Sequence, residues 1–289
     1  MPKRTGKGVE SAIKRTLAYR ALFHYPMSFF QIGTYLIADS PSNSKKLKTA
    51  LNKLIKDRWA RKIYGKYEIL GEKYTNWLSK QKLSKKIIEE NTPLLKFLGG
   101  IPWVRMIAIT GSLAAYNPEK NSDIDLMLIT KRNRLWITRG FVALILKILN
   151  KHPQFDGQPG SFCTNLFLDE SKMQWEKEKR NIFIASDIVM IQPIVNKGDT
   201  YFKFISQNNW VMDYYPNFRI NYTEGRSESS SGLLFSLLEN MAREAQLHYM
   251  RKKITTEVLG KHIIHFNKND NSRRILESYK NILKKLKIS

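Results

Sequence analysis

One stretch constrains this chain more than any other: "IAITGSLAAYNPEKNSDIDLMLIT", residues 107–130, in which apolar runs bracket a Gly111-Ser112 step and an Asp123-Ile124-Asp125 triplet. "VRMIAIT" reads as a strand, "SLAAYN" as a short helix, and "DIDLMLIT" as a second strand. Side chains alternate faces along a strand, so Asp123 and Asp125 share one side, about 7 Å apart, while Ile124, Leu126 and Leu128 point the other way into a core. Two adjacent carboxylates repel, and a hard divalent cation such as Mg²⁺ is the natural relief. Glycine lets the backbone approach a bulky anion. A helix N-terminus adds free N–H groups and a positive dipole end. Gly111 and Ser112 therefore suit a triphosphate, and Asp123 and Asp125 a metal that serves it. An EF-hand does not fit: Ile124 and Leu126 interrupt the ligand series, and no glycine stands at its sixth position.

Upstream, residues 11–70 read as three helices and a hairpin. Ile13, Leu17, Ala21 and Leu22 mark the first helix, and Ser28 caps a short second one. Leu47, Leu51, Leu54 and Ile55 line the inner side of the third. "RKIYGKYEIL" predicts a tight hairpin around Gly65-Lys66. This unit resembles a winged helix-turn-helix domain. Lys45, Thr49, Asn52, Lys53 and Lys56 share the outer face of the third helix, which would suit a DNA major groove or an RNA. Lys66 would reach a backbone phosphate. The competing reading is a solvated lysine face on a docking module.

Charge agrees with a polyanionic partner: 49 Lys+Arg stand against 25 Asp+Glu, a net +24. The single cysteine, Cys163, cannot form an internal disulfide, which points to a reducing compartment or to indifference to redox conditions. No signal peptide is evident. "FVALILKILN" is too short to span a bilayer and carries Lys147, so it is expected to be a buried helix. The expectation is a cytoplasmic protein without a membrane partner.

The chain divides into a winged-helix-like unit (1–72), a helical connector (73–98), an α/β unit (99–223), a Ser/Gly-rich linker (224–232) and a C-terminal helical region (233–289). "NTPLLKFLGG" should start a helix at a cap and a proline and stop at Gly99-Gly100. "NIFIASDIVMIQPI" and "TYFKFISQNNWVMDYYPNF" have helical character. Leu234, Leu237, Leu238, Met241, Ala242 and Ala245 give an amphipathic helix, and "RRILESYKNILKKLK" a last one. Trp210, Tyr214 and Tyr215 are candidates for stacking on a base, with core packing favoured. Lys131, Arg132, Arg134 and Arg139 either meet phosphates or flank a solvated helix. The histidines at 24, 152, 248, 262 and 265 lack zinc spacing.

Gly-Ser, ten residues, then Asp-x-Asp resembles the signature of the polymerase-β-like nucleotidyltransferase superfamily, over residues 100–170. The resemblance implies an α+β protein: an N-terminal winged helix, a central α/β domain with a small mixed sheet, and a C-terminal helical region. It implies that Gly111 and Ser112 bind phosphate, that Asp123 and Asp125 bind Mg²⁺, and that a nucleoside triphosphate such as ATP is substrate. The family carries a third acid near the start of the next core strand, here "FCTNLFLD" (162–169). The matching position holds Asn165, and Asp169 lies about 13 Å further along. An amide cannot act as a general base, a loss of about 10²- to 10⁴-fold. Two functions follow: a magnesium-dependent nucleotidyltransferase acting on a hydroxyl acceptor, or a nucleic-acid-binding regulator with a degenerate transferase domain. The acceptor, the base and the oligomeric state stay open.

Overall fold

The computed structural model describes residues 8–119, 122–151, 160–220, 233–251, 258–265 and 271–288, the side chains of Leu233 and Leu234 excepted. The expected linker 224–232 and His152 lie outside these residues. The chain is α+β, with two sheets.

The N-terminal unit runs α1 (Val9–Ala21), β1 (Met27–Ser28), α2 (Phe29–Thr34), α3 (Ser44–Lys56), β2 (Ala60–Ile63) and β3 (Lys66–Ile69). Ser28 and Gln31 form a reciprocal capping box at α2, and the Asn43 side chain accepts from Lys46 N–H at the start of α3. Leu47, Leu51 and Leu54 of α3 are buried. The hairpin turns one residue earlier than expected. Tyr64 and Gly65 both take positive φ, 48° and 74°, the signature of a two-residue turn matched to strand twist. Lys66 thereby becomes part of β3, the middle strand of the order β1-β3-β2.

One helix, α4 (Trp77–Gly99), crosses the expected start at residues 91–93 without a break and contains Pro93. Proline withdraws a donor from the helix. Beside it, Asn91 Nδ2 and Thr92 Oγ1 bond the carbonyls of Ile87 and Ile88 (2.8 and 2.7 Å). Leu95 and Leu98 are buried beyond the proline and hold the second half in place. The segment is thus a packed layer on the sheet as well as a connector.

Next come β4 (Val104–Ile109), α5 (Gly111–Ala114), β5 (Ile124–Thr130), α6 (Leu135–Ile148), β6 (Phe162–Asp169), α7 (Ile182–Met190), β7 (Gln192–Asn196), α8 (Thr200–Gln207) and a 3-10 turn (Asn209–Asp213). The C-terminal part holds α9 (Leu233–Met250), β8 (Val258–Leu259), β9 (Ile263–His265) and α10 (Ser272–Lys285). The sheet order is β7-β4-β5-β6-β9-β8. Among the described residues only β5 and β6 pair in parallel, joined through α6; the other pairs of this sheet are antiparallel. Two expectations are corrected here. "QPIVN" is an edge strand, where Pro193 removes no central ladder bond. The C-terminal region is not purely helical, since its hairpin extends the sheet through β6.

Both faces of the sheet are buried, so β5 reads as a continuous apolar run. Ile107, Ile109, Leu126 and Leu128 pack with α4, α6 and α9. Met106, Ala108, Met127 and Ile129 share a core with α7, α8, α10 and the N-terminal unit. The two units are also tied by hydrogen bonds, Ser42 N to Asn217 Oδ1 (2.8 Å) and Asn117 Nδ2 to the Phe23 carbonyl (2.9 Å).

Helices α6 and α9 differ from expectation. The expected α9 stripe splits: Leu237, Leu238 and Met241 are exposed, while Ala242 packs on the core beside Leu247 and buried Met250. The inner face of α9 is partly polar. Buried Glu239 accepts from the N–H groups of Trp136 and Ile137 (2.7 and 3.0 Å), and Gln246 donates to the Trp136 carbonyl (2.8 Å). Helix α6 buries Val142 and Leu146 but exposes Phe141, Leu144 and Ile148, so it is half-buried. No helix among the described residues is long and apolar enough to cross a membrane.

Candidate active site

Strand β4 ends at Ile109 and the chain turns sharply at Gly111, whose φ is +64°. A Cβ there would lie 2.7 Å from Asp125 Oδ2, so only glycine allows this approach. The Thr110 N–H donates to the Asp125 carbonyl (3.0 Å), pinning the turn to β5. The first bonds inside α5 run from Ala114 and Ala115 to Thr110 and Gly111, which leaves the N–H groups of 111–113 without intrahelical partners. Ser112 is exposed beside them. The other end of α5 is held by Ser84 Oγ on the Leu113 carbonyl (2.7 Å) and Gln192 Nε2 on the Ala114 carbonyl (2.5 Å).

Asp123 precedes β5, and its Oδ1 accepts from Ser161 Oγ (2.8 Å). Asp125 lies within β5, on the face shared with α7 and the N-terminal unit. Burial, and then the charge of Asp123, push its carboxyl up to about 6; an amide bond from Asn165 opposes them. Asn165 owes its position to a bulge: β6 pairs Thr164 with Leu126 and Leu166 with Met127, and Asn165 is the extra residue between. Its Nδ2 donates to Asp125 Oδ1 and its Oδ1 accepts from Cys163 Sγ (2.9 Å). The structure thus brings Gly111, Asp123, Asp125 and Asn165 into one constellation.

Neither aspartate makes an ion pair among the described residues, so their repulsion is offset only by the hydrogen bonds from Asn165 and Ser161. Two hard carboxylates opposite a glycine-lined turn fit a divalent cation held against a polyphosphate. No group of three or more His, Cys, Asp or Glu side chains among the described residues is arranged to hold a metal, so the acidic set stops at two.

Asp187 on α7 is a further residue at this site. It is exposed to solvent on one side, with protein atoms crowding it on the others. Burial, and then the Asp125 charge, push its carboxyl up to about 7. Its signal was present in the sequence: it is the only charged residue in "NIFIASDIVMIQPI".

Other expected residues lie elsewhere. Lys45, Thr49, Asn52, Lys53 and Lys56 share an exposed face of α3, with Lys53 paired to Glu10 (2.7 Å). Lys66 does not point toward a phosphate in solvent; its Nζ is turned inward onto Gln31 Oε1 (2.9 Å). Asp169 is buried and accepts from Asn133 N–H, Ser171 and His262 Nδ1, a structural role. Trp210 and Tyr215 are core residues and not stacking platforms. Arg134 is buried over the Phe235 ring (4.4 Å), and Arg139 Nη1 donates to Gln246 (2.5 Å), so neither is a free phosphate contact.

No family model matches this chain, and no curated protein does. Among solved structures, it is similar to one described as a toxin–antitoxin with AMP-PNP, at 15% identity and TM-score 0.24, over 46% of this chain and 89% of the other. It is also similar to a mutant of the toxin–antitoxin MntA-HpeT, at 10% identity and TM-score 0.22, over 60% of this chain and 93% of the other. Neither score reaches the level that implies a shared fold.

Proposed function

We propose that this chain is a magnesium-dependent nucleotidyltransferase of the polymerase-β-like kind, moving a nucleoside monophosphate from a nucleoside triphosphate to a hydroxyl acceptor. The observation that carries this reading is the approach of the Gly111 turn to Asp125, with Asp123 adjacent. In such a transfer the acceptor oxygen bonds the α-phosphorus, the bond to pyrophosphate breaks, and the hydroxyl proton leaves to a base. Gly111 and Ser112 hold the phosphates through N–H groups and a hydroxyl. Asp123 and Asp125 hold a divalent cation, which when bound neutralises charge on the triphosphate. Asn165 cannot take the proton. Asp187, on the helix that packs against α5 and within electrostatic reach of Asp125, would take that role. The winged-helix-like unit, with Lys45, Thr49, Asn52, Lys53 and Lys56 outward, would bring the site to DNA or RNA.

Incubation with each of four labelled triphosphates and a cell extract tests this. Label should be incorporated with Mg²⁺ and lost in the Asp123→Ala, Asp125→Ala double variant. A second reading is favoured by Asn165 alone: a nucleic-acid-binding regulator whose transferase domain is degenerate. Salt-sensitive DNA affinity without incorporation under any triphosphate would select it.

A further inference from the structure

A buried cation, Arg20, and a half-buried one, Lys66, stand where the N-terminal unit meets the sheet, and neither has a carboxylate partner among the described residues. Arg20, in the last turn of α1, is only 6% exposed. Its guanidinium lies over the rings of Tyr25 and Phe23 (5.1 and 5.8 Å), its Nη1 contacts the Met190 sulfur (3.3 Å), and its Nε has no hydrogen-bond partner. Lys66 lies over the rings of Tyr25 and Trp77 (5.0 and 5.5 Å) and donates to Gln31. Among the described residues neither forms an ion pair, and the charges acting on Lys66 are those of Arg20 and Lys85, both positive. Burial, with those two cations, brings the Lys66 ammonium down to about 8. A buried charge without a partner is costly, and aromatic faces recover only part of the lost hydration.

Arg20 and Gln31 line a cavity of about 360 Å³, a volume typical of small-molecule sites. Tyr35, Tyr116 and Gln192 add polar groups to the wall, and Met27, Ile191 and Pro193 add apolar ones. The guanidinium fork matches an oxyanion, and the space exceeds what a bare ion fills. We propose that this cavity is a second, metal-independent binding site for a small organic phosphomonoester, with Arg20 as its principal counter-charge and Lys66 as support through Gln31. Its lining reaches the C-terminal end of α5 at Ala114 but includes none of Gly111, Ser112, Asp123 and Asp125, so it does not depend on the transferase reading.

The test is calorimetric titration of the full chain in EDTA with ribose 5-phosphate and with inorganic phosphate, the chelator keeping metal from the aspartates. Ribose 5-phosphate should bind with a sub-millimolar Kd and raise Tm, and inorganic phosphate should bind at least tenfold more weakly. Arg20→Met should weaken ribose 5-phosphate at least tenfold while raising the Tm of the ligand-free protein; a purely structural arginine would lower that Tm. Should Arg20→Met fail to fold, Lys66→Met should weaken binding at least threefold. Asp125→Asn should bind as the wild type does. Absence of binding in EDTA, unchanged affinity in Arg20→Met or Lys66→Met, or loss of binding in Asp125→Asn would each overturn the proposal. Equal affinity for the two probes would overturn the organic-phosphate assignment.

Discussion

Asn165 donates its amide N–H to the carboxylate of Asp125 from a bulge in β6, so an amide occupies the place where a third acid would face the same oxygen. The bond favours the ionised form of Asp125. Asn165→Asp would replace this donor with a third negative charge. Under the transferase reading, Mg²⁺-dependent incorporation of label should not fall, and in an Asp187→Asn background it should rise by about 10²-fold or more. Without metal the variant should be less stable than wild type at pH 8, where three carboxylates repel. A fall in turnover would count against this assignment.

The carboxyl of Asp125 titrates near 6 in the folded chain, above its ordinary value of 3.8. The folded state therefore binds the proton more tightly than the unfolded state does. This contribution to stability is fully present below about pH 4 and is lost as pH rises through about 6. Urea midpoints of the metal-free protein should carry a decline across that window, and Asp125→Asn should flatten it. Affinity for Mg²⁺ should climb over the same range, because the metal competes with that proton.

Gly111→Ala would place a methyl group 2.7 Å from Asp125 Oδ2 and force a side chain into φ +64°. A loss of about 1–3 kcal/mol in stability is expected, since the turn must shift. Divalent-dependent binding of a triphosphate should fall at least tenfold. Chemical denaturation and calorimetry report the two effects separately.

Asp187→Asn should leave metal-dependent triphosphate binding within about twofold, because Asp187 is not one of the two aspartates assigned to the metal. Turnover should drop by about 10²-fold or more. The rise of the wild-type rate through about pH 7 should vanish with it. An unchanged pH profile would remove Asp187 from the proton-accepting role.

Glu239→Gln would remove one of two carboxylate oxygens that accept from the first turn of α6. The group is only 2% exposed, so a destabilisation of about 1–2 kcal/mol is expected. Urea unfolding measures it.

The elements that frame the site were legible because their signals are local. The apolar runs gave β4, β5 and β6, with β6 at its observed limits and the β5 strand starting at Ile124, one residue after Asp123. The neighbourhood of Asp125 was also legible down to Asn165. Strands β7, β8 and β9 were not, since two to five residues cannot distinguish period 2 from period 3.6. Helix α9 shows another limit. An apolar stripe reveals that a helix has two faces, but α6 presents free N–H groups and a carbonyl to it, and Glu239 turns inward to accept from the former while Gln246 donates to the latter. Nothing in the sequence singles out Arg20, because its isolation from any acid exists only after the N-terminal unit docks.

The continuous packing from Leu17 and Met27 through Tyr215 to Met106 and Met127 means that the first seventy residues are not a head on a tether. A partner bound on the outer side of α3, as proposed, would be presented to Asp125 at one set span and angle. Choice of target position would then be a matter of measuring, as with a ruler, and not of searching by swing.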